Sequence, residues 1–114
     1  MSQSIPNSPG AALQNVQQHA DSAAVLLKSL ANPYRLLVLC ILAGRGEEVS
    51  VSELNASIDL SQSALSQHLA RLRAEKLVLT RRDSQNIYYS VAEGPALELI
   101  QVLQRHYCAP PRDD

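Results

Sequence analysis

The fold is decided by residues 61–72, which read Ser-Gln-Ser-Ala-Leu-Ser-Gln-His-Leu-Ala-Arg-Leu. Three leucines, Leu65, Leu69 and Leu72, recur at steps of four and three residues, which is the spacing of one face of an α-helix. Serine and glutamine occupy the opposite face, and Ser61 stands where its hydroxyl can cap the first turn. The pattern predicts a helix from Ser61 to about Glu75 with one apolar side and one polar side.

A short helix is predicted immediately before this one. Ser50 or Ser52 can cap it, and it continues to about Ser57. Leu54 and Ile58 lie four residues apart on its inner face. Only a brief turn separates the two helices, so they form a helix-turn-helix pair.

Two strand-like segments follow, at residues 77–82 and 87–91, and both are rich in Val, Thr, Ile and Tyr. The polar residues 83–86 between them predict a hairpin turn. Because an isolated two-stranded hairpin is only marginally stable, we expect it to pack against the helices.

Three further helices are predicted around this unit. The first is a long amphipathic helix over residues 13–30; the second opens at Asn32-Pro33, is apolar on every side, and ends at Gly44. The last opens at Pro95. Its apolar face is formed by Ala96, Leu99, Ile100, Leu103 and Tyr107.

Together these elements predict a mostly α-helical protein with a two-stranded β-hairpin wing, the winged helix-turn-helix architecture. The 114 residues, 46% of them hydrophobic, fit one domain. We assign residues 1–10 to a flexible arm, 11–109 to the domain and 110–114 to a tail. The start of the chain is polar and no apolar run reaches about 18 residues, so we expect a cytoplasmic protein with no membrane partner.

Charge is distributed unevenly along the chain. The net charge is −1, but residues 61–91 contain five basic and two acidic side chains, a balance of +3 that leaves −4 for the rest. This basic segment coincides with the second helix of the pair and the hairpin. The basic segment favours a protein whose partner is double-stranded DNA over a protein-interaction module that does not bind DNA.

Candidate DNA contacts fall into two groups. Serine and glutamine can read base edges in the major groove through hydrogen bonds, and arginine suits phosphates. The predicted base-reading residues are Gln62, Ser63, Ser66 and Gln67. The predicted backbone contacts are Arg71 and Arg73 on the helix, Arg81 and Arg82 at the base of the wing, and Gln85 at its tip. The alternative for the helix is a solvated surface face.

Enzymatic activity is not expected. The sequence contains no Gly-rich phosphate loop and no Cys-x-x-Cys, and its Ser, His and Asp residues show no catalytic spacing. Three scattered histidines do not form a metal site, so neither a metal nor another cofactor is predicted. The two cysteines, Cys40 and Cys108, are either inert or form a redox switch.

Residues 61–69 with Leu72 resemble the recognition-helix signature of the ArsR/SmtB family of bacterial winged-helix repressors. Residues 30–36 resemble the opening of that family's second helix, and the similarity spans about residues 20–108. The resemblance implies a DNA-binding transcriptional regulator.

Cys40 and Cys108 are similar in position to the cysteines of the family's dithiol branch. That similarity implies that DNA is released when reactive sulfur or oxidant species bridge the two thiols. The Cys-x-Cys of the family's thiolate metal sensors is absent from residues 52–56. The alternatives are a metal-responsive repressor and a regulator without a cysteine switch.

A homodimer is expected on physical grounds. One recognition helix makes few contacts, whereas a two-fold dimer places two of them about 34 Å apart, one turn of DNA, on an inverted repeat. We predict that the first and last helices form the dimer interface.

Overall fold

The computed structural model describes residues 9–108, and the side chains of residues 13–107. Five α-helices and three strands form a winged helix-turn-helix domain, which confirms the predicted architecture. In chain order the elements are α1 (Pro9–Leu30), α2 (Pro33–Arg45), β1 (Val49–Ser50), α3 (Val51–Ser57), α4 (Gln62–Ala74), β2 (Val78–Asp83), β3 (Asn86–Val91), α5 (Pro95–Leu103) and a π-helical turn (Gln104–Cys108).

The sheet has one strand more than predicted. Its antiparallel order is β1-β3-β2, with Val49 opposite Tyr89. A two-residue strand is too short to show alternation in a sequence, which is why β1 was missed. The hairpin turn is as predicted, since Asp83 pairs with Asn86 across two residues, the first of which is Ser84 with a φ of 60°.

Side-chain caps fix the ends of the central helices. The Asn32 side chain accepts hydrogen bonds from the backbone N–H groups of Tyr34 and Arg35, at 2.9 and 3.1 Å, so the predicted start of α2 is confirmed. Its predicted end at Gly44 is wrong. The helix continues to Arg45, because the left-handed residue that ends it is Gly46, with a φ of 68°.

The two helices of the helix-turn-helix are capped by serines. Of the two candidates for α3, Ser50 is the cap: its hydroxyl accepts from the Glu53 N–H, and the Glu53 carboxylate accepts from the Ser50 N–H, both at 3.1 Å. This reciprocal pair is a capping box. Ser61 caps α4 as predicted, accepting from the Ala64 N–H at 3.1 Å.

One apolar core joins the helices to the sheet, and α4 is part of it. The fully buried members include Val38, Leu39, Leu42, Val49, Leu54, Leu65, Leu72 and Ile100. The apolar sequence of α2 predicts a central, buried helix, and its core residues are buried, but Leu37 is 41% exposed. The outer side of α2 therefore belongs to the surface.

The two ends of the domain differ from the predictions. The first helix begins at Pro9, so its first two residues fall in the segment assigned to the arm; residues 1–8 and 110–114 lie outside the described residues. Tyr107, expected on the apolar face of the last helix, is 82% exposed. Tyr107 lies in the π-helical turn that follows α5, beyond Leu103, the last residue of α5 that packs against the core.

Within residues 9–108, no single helix has both the length and the hydropathy of a membrane span. By those two criteria alone, α1 and α2 qualify only when taken together, and they are bent by 90° at their junction.

Candidate nucleic-acid interface

The recognition helix α4 has two chemically distinct sides, as predicted. Leu65, Leu69 and Leu72 are buried in the core. The rest of its surface carries all six polar residues that the sequence analysis singled out, and all six are exposed: Gln62, Ser63, Ser66, Gln67, Arg71 and Arg73. Their exposure is confirmed, and their contacts with DNA remain a prediction.

A cleft of about 670 Å³ lies between α4, the start of α3 and the wing. Its lining brings Gln62, Ser66 and Arg73 of α4 together with Gln85 and Asn86 of the wing. The structure therefore unites four predicted site residues that are separated by up to 23 positions in the sequence.

The other predicted residues of α4 lie outside this cleft. Ser63, Gln67 and Arg71 follow one another at steps of four residues, so they share the neighbouring, outward strip of the helix. Within the described part of the chain, Gln67 and Ser66 make no side-chain hydrogen bond to the protein. Their donors and acceptors are available to a ligand.

The wing arginines lie nearer the tip than predicted. Arg82 is opposite Ile87, one pair away from the turn, and Arg81 is opposite Tyr88. The base of the hairpin is instead the pair of Val78 and Val91. The predicted position at the base is wrong because β2 and β3 are each six residues long, which puts both arginines in their outer half.

Arg81 is held by the protein itself. Its Nε lies 2.9 Å from both carboxylate oxygens of Glu48, and its guanidinium group lies 4.8 Å from the ring centre of Tyr88. The hydrogen bond from Arg81 lowers the pKa of the Glu48 carboxyl group, and Glu48 in turn raises the pKa of Arg81. The structure thus adds Glu48, which the sequence analysis missed, as a partner of the wing.

The other three arginines predicted to contact DNA differ in whether they form an ion pair. Arg71 donates to the Glu75 carboxylate at 3.1 Å, one turn along α4. Within residues 9–108, Arg73 and Arg82 take part in no ion pair. Exposed ion pairs contribute little free energy, so Arg71 can exchange Glu75 for a phosphate more readily than Arg81 can leave its multiple contacts.

The two cysteines lie on elements that contact each other. Cys40 is half-buried on α2 and packs against the core, and its carbonyl oxygen accepts a 2.9 Å hydrogen bond from the Gln104 side-chain amide. Gln104 begins the π-helical turn that ends at Cys108. The side chain of Cys108 is outside the described set. Among the described residues, no group of three or more His, Cys, Asp or Glu side chains is placed to hold a metal ion.

Residues 32–79, which contain α2, α3 and α4, match the family model for bacterial regulatory proteins of the arsR family. The transcriptional activator HlyU of Vibrio cholerae is 45% identical over 96 residues, which is 84% of this chain and 87% of that protein. The chain belongs to the ArsR family. The resemblance seen in its recognition helix is thereby confirmed.

Two further comparisons support the ArsR assignment. The biofilm growth-associated repressor of Agrobacterium fabrum is 45% identical over 98 residues, 86% of this chain and 82% of that protein. The solved structure of reduced HlyU from Vibrio cholerae superimposes with a TM-score of 0.79 at 44% identity, covering 84% of this chain and 99% of that one. The family's members are DNA-binding transcriptional regulators, so the winged domain is a DNA-binding domain of a transcriptional regulator.

Proposed function

We propose that this ArsR protein binds an inverted-repeat operator as a homodimer and leaves it when Cys40 and Cys108 are bridged by reactive sulfur or oxidant species. The observation that carries the DNA-binding part is the exposed polar side of α4 beside the cleft that the wing completes. In this proposal α4 enters the major groove, where side-chain amides and hydroxyls discriminate between base pairs.

The DNA contacts divide between bases and backbone. Gln62, Ser63, Ser66 and Gln67 read base edges. The phosphate contacts come from Arg71, Arg73 and Arg82, with Gln85 at the wing tip. Arg81, also a predicted phosphate contact, steadies the wing through Glu48 and reaches phosphate only when that pair opens.

Apolar surface on α1 and α5 supports the homodimer. Leu13, Val16 and Leu27 are more than half exposed, although they lie in the apolar stripe of α1. A groove of about 260 Å³ between α1 and α5 is lined almost entirely by apolar side chains, Leu27 and Val102 among them. Contiguous exposed apolar surface of this kind marks an interaction site, and a second copy would cover both features at once.

The dimensions of the chain support the same conclusion. The described residues have a radius of gyration of 17.6 Å. A compact domain of this size has a radius of about 13 Å, so α1 extends beyond the core that the single chain can form.

Contact between the cysteine-bearing elements supports the switch. The hydrogen bond from Gln104 to Cys40 joins α2 to the turn that carries Cys108. A bridge between the thiols would pull the end of α5, part of the dimer surface, against α2. Because packed elements move between discrete arrangements, the spacing of the two recognition helices would change. The HlyU relative from Vibrio cholerae has a solved structure of its reduced form.

The proposed chemistry balances for both classes of signal. One peroxide takes two electrons and two protons from the two thiols, which leaves a disulfide and two waters. Two low-molecular-weight persulfides convert the thiols to a trisulfide and release two thiols and one hydrogen sulfide. A direct disulfide requires Cα atoms within about 7 Å, so a larger separation favours the longer sulfur bridge.

A DNA-binding assay tests the proposal. The probe is a duplex selected by the reduced wild-type protein from a randomised pool, and the protein is compared in reduced, persulfide-treated and peroxide-treated forms. Cys108→Ser and Cys40→Ser should bind when reduced and resist release, and mass spectrometry of treated wild type should show the two cysteine peptides linked. Normal release of either variant would refute the paired-thiol mechanism, and release by a metal alone would favour the metal-responsive alternative.

A further inference from the structure

Arg35 is a buried cation without a carboxylate partner. It is 9% exposed, and within the described residues no Asp or Glu forms an ion pair with it. Its Nε donates to the Ser29 carbonyl oxygen at 2.6 Å, and its Nη2 donates to that of Lys28 at 3.5 Å. A buried charge needs compensation, and here it comes from backbone carbonyls.

Those carbonyls belong to the last turn of α1. The end of a helix carries unsatisfied carbonyl groups and the negative pole of the helix dipole, so a guanidinium group is stabilised there. Arg35 itself lies in the first turn of α2. Its side chain therefore fastens the end of α1 to the start of α2.

A third contact extends from Arg35 to the recognition helix. Its Nη1 lies 3.4 Å from Nδ1 of His68, which is adjacent to the base-reading candidate Gln67 on α4. The Tyr34 ring stacks on the His68 ring from the same helix as Arg35, with 5.9 Å between centroids. One arginine thus touches the end of α1 and the middle of α4.

The chemistry of this contact selects one protonation state of His68. A guanidinium group only donates hydrogen bonds, so Nδ1 must accept, which requires a neutral ring with its proton on Nε2. Burial and then the charge of Arg35 lower the pKa of His68. Two residues of α2 face the ring of His68, Arg35 and Tyr34. On α4 itself the next charged side chain is Arg71, three residues further along, and it is paired with Glu75.

We propose that Arg35 is a positioning residue for DNA readout, which holds the recognition helix against the corner of α1 and α2 through neutral His68. Protonation of His68 places two cations side by side and releases α4 from that corner. This inference rests on the proposed operator readout by α4 and adds the part of the protein that orients it.

The proposal predicts a pH effect opposite to that of simple electrostatics. A positive charge gained next to DNA raises affinity for any duplex, because it adds attraction to phosphate. Release of the recognition helix lowers affinity for the selected operator only. The ratio of operator binding to binding of a scrambled duplex therefore separates the two effects.

The experiment compares this ratio at pH 7.5 and pH 5.5 under reducing conditions. The wild-type ratio should fall on acidification by up to about tenfold, because the neutral fraction of a histidine with a pKa below 6.5 falls by at most about that factor between these two pH values. His68→Gln, whose amide oxygen can accept from Arg35 at either pH, should keep its ratio. The control His106→Gln, at an exposed histidine outside this contact, should lose it as wild type does. Arg35→Lys should have a reduced ratio already at pH 7.5, because an ammonium group cannot span the three contacts.

NMR titration of the histidine rings provides an independent measurement, with His68→Gln identifying the resonance. The ring of His68 should titrate below the usual value near 6.5 and carry its proton on Nε2. The positioning role is overturned if His68→Gln loses its ratio as wild type does, or if His68 titrates at or above 6.5. If Arg35→Lys does not fold, His68→Gln and the ring titration decide. If wild type selects no duplex, the proposed operator readout fails, and the titration still tests the contact.

Discussion

The first helix and the recognition helix share one sequence pattern and differ in what covers it. In α4 the apolar stripe of Leu65, Leu69 and Leu72 is buried inside the chain, and the polar side is left to solvent. In α1 the stripe ends in the buried Leu30, but Leu27 is 54% exposed and Val16 is 62% exposed.

The difference shows that amphipathic periodicity predicts which face of a helix is apolar. It does not predict whether that face packs against the same chain or against another molecule. For α4 the cover is the chain's own core. For α1 the proposed cover is a second copy. Substitutions on the two stripes should therefore fail in different ways, one by unfolding the domain and the other by separating the dimer.

The largest effect is expected on α1. Leu27→Glu places a charge in the proposed interface at a site that is already half-exposed, so the single chain should stay folded while the dimer dissociates. Loss of the second recognition helix should lower operator affinity about 100-fold or more. Analytical ultracentrifugation and operator titration measure the two effects. Gln18→Glu, on the opposite face of α1, is the control and should remain dimeric; a dimeric Leu27→Glu would contradict the interface.

An effect of comparable size, but of a different kind, is expected on the stripe of α4. Leu65→Ala removes a fully buried side chain and should lower the free energy of unfolding by about 2–5 kcal/mol, the range for such cavities. Denaturant unfolding monitored by circular dichroism measures it. The same substitution at Leu13, which is exposed on α1, should change the stability of the monomeric Leu27→Glu background very little. Equal losses of unfolding free energy at Leu65 and Leu13 would mean that both stripes are buried within the single chain.

The polar face of α4 should control specificity. Ser66→Ala or Gln67→Ala should reduce discrimination between operator and scrambled DNA by about 1–3 kcal/mol per lost base contact. Arg82→Ala should weaken binding to both duplexes alike. Parallel titrations with the two duplexes distinguish these outcomes. If all three substitutions weaken both duplexes equally, the division into base and phosphate contacts is wrong.

The smallest effect concerns the two wing arginines. If the dimer neutralises about six phosphates, log K should fall with log salt at a slope near −5. Arg82→Ala should reduce that slope by about 2, one contact per copy, whereas Arg81→Ala should change it by less because Glu48 already engages Arg81. Glu48→Gln frees Arg81 and should steepen the slope. A larger change for Arg81→Ala than for Arg82→Ala would show that Arg81 is the phosphate contact.

Much of the domain could be predicted from local sequence. The caps Asn32, Ser50 and Ser61 and the leucine stripe of α4 follow from rules that act within a few residues, and the structure confirms them. The end of α2 was missed by two residues, because either Gly44 or Gly46 could end it and only the backbone shows which takes a positive φ.

The sequence by itself determined the winged helix-turn-helix, because helical periodicity, capping and turn chemistry are all local. Tertiary structure alone decided the third strand, the capture of Arg81 by Glu48 and the contact of Arg35 with His68. Each of the two side-chain contacts joins residues 33 positions apart, on different elements of the fold. No local pattern encodes such contacts, since they form only when packing of the core sets one element against another. For the same reason the sequence identifies the apolar face of α1, whereas the surface that packs against this face depends on how whole chains assemble.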